Sequence, residues 1–337
     1  MRGRRLITPG PIQSRPLEPF EAADLDTAPD ELAIQVAACG VCRTDLQLIE
    51  GDLAARLLPV VPGHQVVGTI IAAGSRVTDW QVGERVGVAW LAGTCGTCRF
   101  CLAGSENLCE AAEFTGWDRD GGYATQMTLR ADFALRVPPG FGDVEAAPLL
   151  CGGVIGYRSL RLSGIQPGGR LGLYGFGASA LLAIQVAIYW GCEVFVATRS
   201  VPEQQRALDM GAVWTGSYHD RPPVPLDAAV TFAPASYVVI EALKSLDRGG
   251  TVAVNAIHLD QIPEFPYEML WWERSVRSVA NFTRADAQEF LDLAARIPIR
   301  TVADPYRMED ANLALARLKA GDAAGAAVLT MAGTAGT

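Results

Sequence analysis

No stretch of this 337-residue chain stays apolar for the ~20 residues that a membrane-spanning helix needs. The longest candidate, Ala178 to Trp190, is interrupted by Gln185 and follows a glycine-rich turn. No secretory leader is expected either. The start, Met1-Arg2-Gly3-Arg4-Arg5-Leu6, is basic, but Pro9 and Pro11 stand where an apolar leader core belongs. Positive charge is in short supply: the formal net charge is −9, which argues against nonspecific nucleic-acid binding and reads the arginines of the first five residues as a solvated end. There is no internal repeat and no low-complexity segment, and the Ala/Gly-rich last few residues are expected to fray. Histidine is scarce, three in all. Two of these, His219 in a Pro-rich loop and His258 just after a predicted strand, receive no role. What remains is a cytoplasmic protein, half of it hydrophobic, long enough to bury a large core and to divide into two domains.

What the chain has in plenty is cysteine, eight residues. In a reducing compartment these point to metal or catalysis rather than to cross-links. Cys95, Cys98, Cys101 and Cys109 follow one another as C-x2-C-x2-C-x7-C. Four thiolates so spaced can close around one tetrahedral Zn²⁺, and a site with four protein ligands is structural because no position is left for water or substrate. A pair of disulfides is the plainer alternative, at home in small secreted domains. Cys39 and Cys192 read most simply as small buried residues.

The texture of the chain changes part-way. Residues 31–38 and 64–73 read as strands, punctuated by glycine at 63, 68, 74, 83 and 87, which suggests a partly open barrel. From about Gly168 strands and helices alternate: RLGLYGF, an apolar helix, EVFVAT, a helix 202–210, LDAAVTF, a helix 237–246, TVAVNAI, SVRSVANF and a helix 286–296. Alternation with near-continuous apolar strands predicts a parallel sheet covered on both faces. A helix over 309–319 and a strand-like AAVLT close the chain.

Gly175-Phe176-Gly177-Ala178-Ser179-Ala180 lies between the first of these strands and its helix, where a dinucleotide fingerprint belongs. The first glycine allows the tight turn and the second lets the backbone approach a pyrophosphate. Ala180 takes the third place, where only close packing is required. The helix N-terminus adds free N–H groups and a positive dipole end. The second strand runs into Thr198-Arg199-Ser200 with no carboxylate to accept from ribose hydroxyls. A guanidinium and two hydroxyls suit a 2′-phosphate, so NADPH is expected over NADH. A surface arginine on a loop is the alternative.

Cys42, His64 and Cys151 each have a plain reading alone: half of a Cys39-x-x-Cys42 redox pair, a core histidine, a small buried thiol. Together they make a Cys₂His set, which leaves the fourth position of a tetrahedral zinc open, as in catalytic sites.

With CGVCRTD (39–45), PGH (62–64), the four-Cys segment, APLLCGG (147–153) and GFGASA (175–180) in this order, the sequence resembles the zinc-dependent medium-chain alcohol dehydrogenases. It looks closest to the bacterial branch acting on primary alcohols and aldehydes, and the resemblance covers essentially the whole chain. The resemblance implies an α/β protein: a β-rich GroES-like catalytic domain (1–150, with a structural-zinc lobe near 93–111), a Rossmann doubly wound parallel-sheet cofactor domain (151–296), and a return to the catalytic domain (297–337). It implies two zinc ions per chain, with Cys42, His64 and Cys151 on the catalytic one. Thr44 would pass the substrate proton onward, Asp45 would fix the His64 tautomer, and Arg43 would contact the cofactor pyrophosphate. Trp90 aligns with a substrate-pocket aromatic, with core packing as the equal alternative. Phe114, Trp117, Trp271 and Trp272 are offered as further pocket walls for aromatic or medium aliphatic aldehydes.

Two positions depart from the family pattern. Gln65 stands where many relatives have Glu, leaving the metal site more electropositive. Gln47 stands where some have a relay histidine, so the last proton step there must use water or another group. The implied activity is hydride transfer between NADP(H) and primary alcohols or aldehydes, mainly aldehyde reduction, in a homodimer or homotetramer. An NAD-linked alcohol dehydrogenase and a non-catalytic NADPH-binding redox sensor are the alternatives.

Overall fold

In the computed structural model, residues 1–256, 259, 261–322 and 325–331 are described. His258 and the chain end expected to fray lie outside the described residues. The chain divides into two compact units, Met1–Cys151 with Thr283–Thr337, and Gly152–Phe282.

The first unit is β-rich. Its central strand, Glu31–Gly40, is buried along nearly its whole length and pairs antiparallel with Gln65–Ala73 on one side. On the other side it changes partner midway: Gln126–Arg130 along Glu31–Gln35, then Ala326–Thr330 along Ala38–Gly40. Two register shifts against Gln65–Ala73, at Ala33/Ile34 and Val36/Ala38, accompany that change. Bulges of this kind coil a strand and bend the sheet. Arg85–Val88 and Ala303–Arg307 complete the sheet. Ile34, Val36, Val66, Ile70, Val86, Val88 and Met127 fill its core.

Among its described residues the second unit holds six strands, all parallel. In spatial order they are Trp214–Gly216, Glu193–Ala197, Arg170–Tyr174, Leu226–Thr231, Leu246–Val254 and Ser275–Ser278. Counted along the chain this is 3-2-1-4-5-6, the doubly wound dinucleotide-binding order. Leu171, Leu173, Val194, Val196, Val230 and Val252 are fully buried, as strands covered on both faces must be.

Several expectations need correction. The first residues are not a solvated end: Arg2–Leu6 is a strand paired with Leu17–Glu21, with Leu6 buried and Arg4 donating to the Glu309 carbonyl at 3.0 Å. The helix expected over 237–246 ends at Lys244, because Leu246 already pairs with Leu226 in the sheet. The division expected at 296 falls instead at 282/283, so helix Arg284–Arg296 belongs with the first unit. The physical reason is local. Thr283 caps that helix through a box with Asp286, and Arg284 donates to Glu106 of the four-Cys segment through its backbone N–H, Nε and Nη2 at 2.8–3.0 Å.

Candidate functional site

The strand Glu31–Gly40 runs through Val41 into helix Arg43–Glu50, with Cys42 as its N-cap. The Cys42 N–H donates to Asp45 Oδ2 at 2.8 Å, so the third helical residue fixes the start of its own helix. Asp45 is 3% exposed, and its other oxygen lies 3.0 Å from His64 Nδ1. Tyr123, fully buried, donates its hydroxyl to Asp45 Oδ2 at 3.3 Å. His64 is presented by Gly63, whose φ of +97° is open to glycine; a Cβ there would also fall 2.4 Å from the Tyr123 ring. The Ala147–Leu150 turn delivers Cys151.

These elements bring one ligand atom each of Cys42, His64 and Cys151 within 4.8 Å of one another. With Nδ1 committed to Asp45, the His64 Nε2 faces the two sulfurs, buried and without a hydrogen-bond partner. A buried polar atom left unpaired is costly, and a tetrahedral cation drawing on two thiolates and that nitrogen would satisfy it. The electrostatics favour such a cation. The Cys151 thiol and then His64 hold Cys42 well below its ordinary value, while Cys151 is held correspondingly high. Burial alone would lower the His64 imidazole, but the Asp45 carboxylate and then Cys42 push it up to about 10.

Thr44 is buried, its Oγ1 3.8 Å from Cys42 Sγ; Gln47 lies one turn further along the same helix, and Arg43 is exposed at the helix start. Trp90 packs edge-on against the His64 ring, with centroids 4.6 Å apart. Phe114 and Trp117 extend that contact, at 5.7 and 6.1 Å from Trp90. Arg56 lies 3.8 Å over the Trp117 ring, a neighbour that sequence reasoning missed. In the second unit Trp271 and Trp272 pack on each other, 60% and 45% exposed, with Arg248 over Trp272.

Cys95, Cys98, Cys101 and Cys109 form a second four-donor cluster within the same 4.8 Å limit. Their sulfurs approach to 3.5–3.9 Å, too far for an S–S bond of about 2.05 Å, and all eight cysteines are free. Backbone N–H groups, Thr97 first and then Cys98, pull Cys95 down to about 6. Thiolate character is what a metal ligand needs.

In the second unit Gly175 turns the chain at φ +93°, where a Cβ would come 2.8 Å from the Ala233 nitrogen. Phe176 is buried, and Ala178 and Ser179 open the helix Ala178–Tyr189. A side chain at Gly177 would project into open space, the room a pyrophosphate needs. The three residues after the second strand divide their roles. Thr198 is buried and donates its hydroxyl to Glu203, and the Ser200 hydroxyl accepts from the Glu203 N–H as the cap of helix Val201–Asp209. Only Arg199 is exposed, with no hydrogen bond or ion pair among the described residues. Burial raises the Tyr218 phenol, and the nearby Arg199 cation works against it. Glu203 and Tyr218 escaped the sequence reading. The carboxylate that meets this strand end stands five residues beyond Thr198.

Residues 28–139 match the alcohol dehydrogenase GroES-like domain. The chain is 50% identical over 327 residues to "Probable alcohol dehydrogenase AdhA" of Mycobacterium tuberculosis, covering 95% of this chain and 94% of the relative. The chain belongs to the zinc-dependent medium-chain alcohol dehydrogenase family. A cinnamyl alcohol dehydrogenase structure from Sorghum bicolor superposes with a TM-score of 0.88 at 28% identity, over 98% of this chain and 97% of that one. A cobalt- and zinc-bound alcohol dehydrogenase from Pyrobaculum aerophilum gives a TM-score of 0.88 at 25% identity, over 98% and 99%. This family member is therefore an alcohol–aldehyde oxidoreductase of GroES-like plus Rossmann architecture. No helix among its described residues is long and apolar enough to cross a membrane.

Proposed function

We propose that the protein interconverts primary alcohols and aldehydes with NADP(H), mainly as an aldehyde reductase, using one zinc at Cys42, His64 and Cys151 and a second at Cys95, Cys98, Cys101 and Cys109. The observation that carries this reading is the buried, unpartnered His64 Nε2 facing two thiol sulfurs. When bound, zinc supplies a Lewis acid for the substrate oxygen and the nicotinamide supplies or takes the hydride. The rest falls to the chain. Asp45 holds His64 in the tautomer that leaves Nε2 free, and holds Cys42 through its N–H. The Thr44 hydroxyl, beside Cys42 Sγ, takes up or delivers the proton of the substrate oxygen. Gln47 carries the hydrogen-bond chain outward without titrating. Trp90, Phe114 and Trp117 give an apolar wall that excludes water and suits aromatic or medium aliphatic aldehydes. Arg43 and the Gly175–Ser179 turn serve the pyrophosphate, and Arg199 the 2′-phosphate. A relative solved with cobalt and zinc bound supports the metal reading, and a homo-oligomer in the cytoplasm fits the family pattern.

One observation favours NAD(H) as a second reading: the Glu203 carboxylate beside Thr198. Initial rates of benzaldehyde and hexanal reduction, with NADPH and NADH side by side, decide between them. Faster turnover with NADPH is expected. Preference for NADH would keep the dehydrogenase and remove the Arg199 argument, and no turnover by protein holding two zincs would overturn the catalytic reading.

A further inference from the structure

At the end of the second parallel strand one cation and one carboxylate stand four residues apart. Arg199 is exposed and unpaired among the described residues. Glu203, in the first turn of helix Val201–Asp209, is only half-buried, and its carboxylate is tethered by the hydroxyl of the buried Thr198. Gln204 braces the same residue by donating from its side chain to the Thr198 carbonyl at 2.8 Å. The carboxylate is thus held beside the strand end, the place where a dinucleotide fold meets the adenosine ribose. Thr198 supplies one hydrogen, and a carboxylate has further lone pairs to offer.

We propose that Glu203 is a specificity-determining residue: its carboxylate accepts from the ribose hydroxyls of NAD(H) and repels a 2′-phosphate, tempering the preference set by Arg199. The proposal rests on the cofactor reading above and adds the counterweight to it. Two charges of opposite sign at one ribose pull in opposite directions. The guanidinium attracts the phosphate of NADP(H), while the carboxylate acts against it and rewards the free hydroxyl of NAD(H). The chain therefore keeps measurable affinity for both cofactors, and the ratio between them is set by the opposing charges at positions 199 and 203.

The test is direct binding, without turnover. Dissociation constants for NADPH and NADH are measured by quenching of tryptophan fluorescence on the zinc-loaded protein, on Glu203→Gln and on Arg199→Ala, with 2′,5′-ADP and 5′-AMP as competing fragments. Glu203→Gln keeps an oxygen acceptor for Thr198 and removes only the charge. It is expected to tighten NADPH and weaken NADH, moving their ratio by about tenfold toward NADPH, and to move the two fragments in the same sense. An unchanged ratio, or equal weakening of all four ligands, overturns the role of Glu203. Arg199→Ala reports separately: it is expected to weaken NADPH and 2′,5′-ADP alone. If it leaves the ratio untouched, the NADP(H) reading fails, whatever Glu203→Gln has shown.

Discussion

The Asp45 carboxylate accepts from the Cys42 N–H and the Tyr123 hydroxyl and faces His64 Nδ1, so one side chain orients two of the three candidate ligands. Groups that orient metal ligands typically change metal affinity by about 10–100-fold when replaced. Asp45→Asn is therefore expected to lose zinc from the Cys42 site within that range in a chelator competition, while the four-Cys zinc holds its affinity as an internal control. Tyr123→Phe removes only the outermost hydrogen bond and should give a smaller loss in the same assay. An effect of equal size at both sites would show that the fold, rather than the site, had been damaged. The Cys42, His64 and Cys151 set was legible from residue types once the three were read together, and the place of Asp45 beside them followed from the family resemblance. Tyr123 was not, since a tyrosine 78 residues from Asp45 carries no local signal.

At the scale of elements, Glu106 and Arg284 join the four-Cys segment to helix Arg284–Arg296. Arg284 side-chain hydrogen bonds hold the Glu106 carboxyl below the ordinary carboxylate range, and Glu106 is 7% exposed. A depressed carboxylate contributes stability that is fully present above its unfolded value of about 4.3 and is lost as pH falls through the folded value. Urea unfolding from pH 7 down to pH 3 should show this loss on the acid limb. Glu106→Gln should flatten that limb, and a limb of unchanged slope would show that the pair adds nothing. The sequence located both partners' elements but placed helix Arg284–Arg296 in the wrong unit, because a contact between residues 178 apart leaves no trace in local pattern.

For the molecule as a whole, the two cysteine clusters predict two zinc ions per chain by metal analysis. Cys101→Ser is expected to reduce the count to one and to lower the thermal midpoint, since a structural zinc contributes folding free energy. Loss of both ions from that one substitution would show the two sites to be coupled, and an unchanged count would remove the structural site. What the sequence determined by itself was whatever local pattern encodes: the ligand spacing of the four-Cys loop, the Gly175–Ala180 turn, and the strand–helix alternation that yields a parallel sheet. The tertiary structure alone decided how distant residues meet. It brought Cys151 to Cys42 and His64, left Nε2 without a partner, set Trp90 edge-on against the imidazole with Trp117 against Trp90, and put Glu203 against Thr198. Spacing along a chain fixes chemistry within a turn or two. Burial, pairing and charge balance at a site depend on which strands and helices pack together, and only the folded chain sets that.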